Sequence, residues 1–352
     1  MHSKEIAPGK PATSVKALWL LPLGILLLES GLRLMPVGFM VRTLQVRMAE
    51  VVTLPAPRVQ IMGDSVTARI NAAGVEEAAG LPDGTVANYS LPGTSPVFAY
   101  YELRRELATG RVPGRIIMAP HPANLEVAMI DRFIGRFGTM KEDLDLFGHG
   151  VTAPEWLFGG LCRASVAMRY REEFRLAVTQ GNFGFFETLN YGGVSVMSSR
   201  LKIAAPPEPP RAPAVSREDF PAQLSARFFV DGVNARYIDA LCGLAGARGI
   251  EVDWVTVPVI GLFKERAMAQ GGESKYQGYL DDLAARHSNV RLVHRELEVY
   301  PDNCFSDAWH LNPYGAWKFS RELGAASAEE EAPALGVTAT AWRAAACTPT
   351  DW

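Results

Sequence analysis

The chain has no Cys-x-x-Cys pair, no G-x-G-x-x-G following a strand-like run and no internal repeat. Its four cysteines, Cys162, Cys242, Cys304 and Cys347, are scattered. That spacing argues against a zinc site or redox motif and leaves two readings, buried thiols or two disulfides in an exported chain. Without the glycine fingerprint there is no dinucleotide-binding signal. His149, His287 and His294 lack metal-ligand spacing and read as surface or packing residues. A dominant charge is missing too: 35 Lys and Arg stand against 38 Asp and Glu, a net charge of -3. Overall charge therefore gives no reason to expect a nucleic-acid partner, and a charged substrate would have to be met by a local patch.

What the chain does have is apolar residues, 48% of 352, enough for one sizeable core with an insertion or small second domain. The first apolar run is "ALWLLPLGILLL", residues 17–28, preceded by Lys4, Lys10 and Lys16 and ended by Glu29. As a helix it is shorter than the hydrocarbon core of a bilayer, but "ESGLRLMPVGFMV" extends the apolar character, and Glu29 and Arg33 are spaced to pair. Residues 1–50 thus read as a signal anchor with a juxtamembrane segment. A cleaved signal peptide would share the basic start, but no A-x-A-like site follows. A soluble core helix would usually carry a polar face that this run lacks. Arg33, Arg42 and Arg47 balance the lysines before the run, so orientation is not fixed by charge.

From residue 51 to 324, short β-like runs alternate with longer amphipathic ones, the pattern of an α/β domain with a mainly parallel sheet. Strands are expected at 59–62, 86–89, 116–119, 252–257 and 290–293, and helices at 68–79, 97–109, 226–247, 275–287 and 313–323. The alternation breaks between about 125 and 221, where aromatic-rich stretches precede the proline-dense "APPEPPRAPAV". This reads as a mostly helical insertion, either functional or simply extra packing over a sheet edge. Residues 325–352 are of low complexity and read as a loosely ordered tail.

The first strand runs into Gly63, Asp64 and Ser65, placing the serine past the carboxyl end of a parallel strand, where such sheets put their ligand crevices. Backbone N–H groups opening a helix suit an oxyanion. They also suit a serine that merely caps the helix. Asp64 has two readings, a second carboxylate in the site or an acceptor for backbone N–H groups. Far away in sequence, "CFSDAWHLNPYGAWKFS" carries Asp307 and His310 three residues apart, just before a helix that Pro313 can open. A serine nucleophile needs a base, and the base works best when a carboxylate holds its tautomer; one short turn can supply both.

"GDS" at 63–65 together with "DAWHLN" at 307–312 resembles the GDSL, or SGNH, hydrolase superfamily. That resemblance implies a three-layer α/β/α sandwich around a five-stranded parallel sheet. It also implies a second block, met here by "NYSLPGTSP", in which Gly93 adds its N–H to that of Ser65 in the oxyanion hole. The family's third block is Gly-x-Asn-Asp. Here "HPANLEV" stands in its place, so Asn124 is the candidate third donor and His121 its competitor; Asn88 and Asn234 more naturally serve turns or helix starts. Trp309, beside the base, has both a sugar-stacking and a packing reading.

The expected chemistry is acyl transfer through an ester on Ser65, with His310 as base, Asp307 orienting it and no metal or cofactor required. Water as acceptor makes an esterase, a sugar hydroxyl an O-acyltransferase. Anchored members of this type act on exported polysaccharides, some with a membrane-bound O-acyltransferase partner. The resemblance therefore implies an extracytoplasmic enzyme that acetylates or deacetylates an envelope glycan. A lipase or small-ester hydrolase, or an inactive glycan-binding or assembly subunit with the same fold, are the alternatives.

Overall fold

The computed structural model describes residues 56–171 and 227–331, together with 24, 26, 27, 29–31, 175, 207 and 208. Most of the N-terminal apolar run, the proline-dense segment, Cys347 and the end of the tail lie outside the described residues. No described helix is long and apolar enough to cross a membrane.

Five strands form one parallel sheet: β1 (Val59–Met62), β2 (Val86–Asn88), β3 (Arg115–Met118), β4 (Glu251–Val255) and β6 (Val290–His294), in the order β2-β1-β3-β4-β6. Runs such as VQIM and RIIM carry no polar alternation because both faces of a central parallel strand are covered by helices. The registers are direct, with Ile61 opposite both Asn88 and Ile117. A second, two-stranded parallel sheet pairs β5 (Val259–Ile260) with β7 (Val299–Tyr300). Two residues each, these strands are too short to announce themselves by periodicity.

Between the strands run α1 (Ala72–Ala79), α2 (Pro96–Ala108), α3 (Met140–Gly148), α4 (Ala153–Ala164), α5 (Gly232–Gly246), α6 (Gly261–Ala269), α7 (Gly272–Arg286) and α8 (Pro313–Glu331). The chain leaves β1 in one direction to form β2, then returns past β1 to β3 and continues to β4 and β6. Right-handed crossovers then put α1 on one face and α2, α5 and α7 on the other. The helix contacts agree: α8 packs on α1, and α2 packs on α5. Connections from β1 and β3 diverge, so their carboxyl ends flank the crevice where a doubly wound sheet binds ligands.

Two boundaries differ from the expected ones in a way that bears on the site. The helix expected over 68–79 begins at Ala72, because residues 67–69 form a 3-10 turn and Asn71 takes the cap, its side chain accepting from Gly74 N at 2.6 Å. The last helix runs to Glu331 instead of ending at 323, since alanines and glutamates after Gly324 favour continued helix. It takes in the start of the segment read as a loose tail.

The described part of the insertion, 126–171, is helical. It builds its own small core, with Phe133, Ile134 and Leu146 packed against Phe98 and Tyr101 of α2 and Tyr237 of α5. α3 and α4 each begin with a Thr-x-x-Glu capping box, at Thr139 and Thr152. Beyond α4, the Glu29 carboxylate accepts from Ser165 Oγ (3.0 Å) and Val166 N (2.5 Å), tying the end of the apolar run to the insertion; Arg33 lies outside the described residues. Cys162, Cys242 and Cys304 are buried free thiols.

Candidate active site

β1 ends at Met62, and the next three residues turn sharply. A Cβ at Gly63 would lie 2.7 Å from the Cβ of Thr67, so no side chain fits there. The Thr67 hydroxyl in turn donates to the Ala119 carbonyl, joining the ends of β1 and β3. Ser65 does not cap a helix. Asp64 braces the turn instead, its Oδ1 accepting from Val66 N at 2.8 Å, and the Ser65 hydroxyl lies 2.8 Å from His310 Nε2.

His310 is presented by a tight hairpin. Phe305 and Leu311 form an antiparallel bridge, and Ser306 N donates to the His310 carbonyl at 2.8 Å. Asp307 Oδ1 accepts from the N–H groups of Trp309 and His310, both at 2.8 Å, so the carboxylate folds the turn that carries its own partner. Its Oδ2 lies 2.8 Å from His310 Nδ1. With a carboxylate holding Nδ1–H, Nε2 is left as the acceptor for the serine hydroxyl.

Partial burial pushes the Asp307 carboxyl up, but hydrogen bonds from the His310 ring and two backbone N–H groups, with the ring's charge, outweigh it and hold it at about 2. The hairpin is docked from below by Arg69, whose Nη1 donates to the Leu311 carbonyl at 2.8 Å. Asn312 closes it, accepting from Gly315 N at 3.0 Å to cap α8. Spacing gave no signal for Arg69; its partner is a carbonyl at the far end of the chain.

Gly93 has φ +70, the left-handed region that glycine enters without penalty. Its loop is fixed by the Thr94 hydroxyl, which lies 2.6 Å from the Leu91 carbonyl and 3.1 Å from that of Gly63. No acceptor meets the backbone N–H of Ser65 or of Gly93 among the described residues. Unmatched backbone donors, at Ser65 and in the neighbouring Gly93 loop, are of the kind a developing oxyanion needs.

The loop after β3 is arranged around Asp64. Asp64 Oδ2 accepts from His121 N at 2.8 Å and from Asn124 Nδ2 at 2.7 Å. One N–H of the Asn124 amide is thereby engaged, and no acceptor meets the second among the described residues. His121 is buried, its ring edge-on to Phe263 (5.1 Å) and Trp309 (4.9 Å). Its Nδ1 accepts from Ala123 N at 3.2 Å. Burial, with His310 nearby, pulls the His121 pKa down to about 4 against the opposing pull of Asp64, so the ring is neutral and carries its proton on Nε2.

The remaining sequence candidates have other work. Asn88 Nδ2 donates to the carbonyls of Thr67 and Ile70, bracing the turn after Ser65. Asn234 Nδ2 donates to the Leu125 carbonyl. Trp309 is half-buried against His121 and the main core. Of the two readings of Asp64, the second describes its bonds: it accepts from three backbone N–H groups as well as the Asn124 amide. What spacing did not reveal is that this carboxylate ties the loop after β1 to the loop after β3.

No protein-family model matches the chain, and no curated protein matches it.

Proposed function

We propose that the protein is a serine-dependent acyl-ester enzyme of the SGNH type, acting to add or remove an acyl group, acetyl in the simplest case, on a cell-envelope or exported polysaccharide. One observation carries the reading: Ser65 Oγ, the His310 ring and the Asp307 carboxylate lie in a hydrogen-bonded line. The resemblance of "GDS" and "DAWHLN" to that superfamily, and a five-stranded parallel sheet with the line at its crevice, support it.

In the proposed reaction His310 Nε2 takes the Ser65 proton as the oxygen attacks the ester carbonyl. The N–H groups of Ser65 and Gly93 and the second N–H of Asn124 hold the oxyanion. His310 then protonates the departing alkoxide, leaving the acyl group on Ser65. A second alcohol or water, deprotonated by His310, attacks that ester and restores the serine. No metal or diffusible cofactor enters these steps.

An anchor within residues 1–50 would hold the domain outside the cytoplasmic membrane, with a membrane-bound O-acyltransferase or another export component as partner. A lipase or small-ester reading is favoured by a separate feature. Apolar side chains of Phe228, Phe263, Tyr276 and Leu297 line a shallow depression beside the loop after β3 at Pro122 and Ala123.

The test supplies an activated acetyl ester with candidate oligosaccharides and measures both products by mass spectrometry. Acetylated sugar supports transfer, free acetate alone supports hydrolysis, and faster turnover of long-chain esters favours the lipase reading. Folded protein that forms neither product would favour a non-catalytic glycan-binding or assembly subunit.

A further inference from the structure

Gly93 owes its lack of a side chain to more than its φ. A Cβ there would lie 2.7 Å from Nη1 of Arg132, so a guanidinium lies directly over a glycine whose loop is tied, through the Thr94 hydroxyl, to the Gly63 carbonyl two residues before Ser65. The arginine is brought there by a strained segment. Met129 has φ +49, a left-handed backbone that a non-glycine residue enters at a cost, and it starts the turn Ile130–Arg132. The Ser95 hydroxyl donates to the Ala128 carbonyl at 2.7 Å, latching this segment to the Gly93 loop.

Arg132 is half-buried and, among the described residues, has no carboxylate partner; the one polar contact of its guanidinium there is the Met129 thioether Sδ, 3.9 Å from Nη1. Its neighbours are spoken for. Asp131 pairs with Arg171 at 2.5 Å, and Arg163 pairs with Asp143 at 2.7 Å. A planar cation with most of its five donors unused, held at the border of the site by a strained turn, suits a bidentate anion.

We infer that Arg132 is the specificity residue of this site and binds an anionic group, a carboxylate or phosphate, on the same substrate molecule as the ester. This rests on the acyl-ester reading and narrows its substrate to acidic esters, such as an acylated glycan bearing acid groups. In a chain of near-zero net charge, this guanidinium is the local patch by which such a substrate would be met.

The test compares a neutral aryl acetate with the same ester carrying a ring carboxylate, and with one carrying a ring phosphate, on wild type, Arg132→Gln and Arg132→Lys. Wild type should prefer one anionic ester by at least tenfold in kcat/KM, and whether that is the carboxylate or the phosphate identifies the source of the charge. Arg132→Gln should erase the preference mainly through KM, and Arg132→Lys should keep part of it. Equal losses on neutral and anionic esters, or a preference that survives Arg132→Gln, overturn the inference. A binding arm separates this from failure of the catalytic reading. Ser65→Ala protein should bind acidic oligosaccharide at least tenfold more tightly than Ser65→Ala/Arg132→Gln, in a salt-sensitive way, even if wild type turns over no ester; equal binding by the two contradicts the inference.

Discussion

The hairpin carrying Asp307 and His310 and the loop following β3 meet at the same crevice, but they turn their polar groups in opposite directions. The hairpin aims its imidazole outward to the Ser65 hydroxyl and leaves the Asp307 side chain 51% exposed. The β3 loop turns inward: His121 is buried, and both its N–H and the Asn124 amide go to Asp64. In the proposed reaction one loop moves a proton, while the other fixes the distance between two strand ends. The difference teaches that the weak third block is not an empty place in the site. It is a structural clasp, and in the proposed reaction its contribution reduces to one spare N–H on Asn124 or the Nε2–H of a neutral His121.

Breaking the outward half should produce the largest effect. Asp307→Asn keeps the turn's shape but loses the carboxylate that fixes the imidazole tautomer, and aryl-acetate turnover should fall by about 10⁴. Steady-state kinetics checks this, and a loss below tenfold would mean that the turn, rather than the charge, positions His310.

Breaking the clasp comes next. Asp64→Ala removes the acceptor of four donors, three backbone N–H groups and one amide. At roughly 1 kcal/mol or more for each donor left unmatched, unfolding in urea should show a loss of about 4 kcal/mol. Stability within 1 kcal/mol of wild type would show that the loops hold together without it.

A smaller effect decides which group of the clasp is the third oxyanion donor. Asn124→Ala should lower kcat by about 10²–10³ with little change in KM, whereas His121→Gln should cost less. The reverse order would assign the role to His121 and leave Asn124 as a brace alone.

The smallest expected effect is a pH dependence. The native His121 ring resists protonation until about pH 4, while in the unfolded chain it protonates near its ordinary 6.5. As pH falls from 6.5 to 4 the unfolded state gains a proton that the native state refuses, so stability drops, by about 3 kcal/mol at the acid end. Thermal melts from pH 7 to 4 should show this slope in wild type and a flatter one in His121→Gln. Asp307, held at about 2 against its ordinary 3.8, costs stability in the same direction as pH falls, but mainly below pH 4, so it adds little to the slope between pH 7 and 4.

Much of this was legible in the sequence, for identifiable reasons. Buried parallel strands appear as unbroken apolar runs, so "VQIM" marks β1 at its observed bounds. Ser65 and the Asp-x-x-His turn stood out because their neighbours are restricted: Gly63, where no side chain fits, and Pro313, which opens α8. The links between the two ends of the chain were not visible. Arg69 to Leu311, Asp64 to Asn124 and Arg132 over Gly93 join residues through the fold alone, with no periodicity to betray them. The 3-10 turn at 67–69 escaped for a related reason: Thr67 is tied to Ala119, just past the end of β3.

The central claim is that Ser65 is a nucleophile activated by His310. A fluorophosphonate probe tests it directly, because it reacts with activated serines and leaves a mass tag on the modified peptide. Wild-type protein should carry the tag on the peptide containing Ser65, with none on Ser65→Ala and little on His310→Ala. Folded wild-type protein that takes no label, or labelling that persists in Ser65→Ala, would contradict the account.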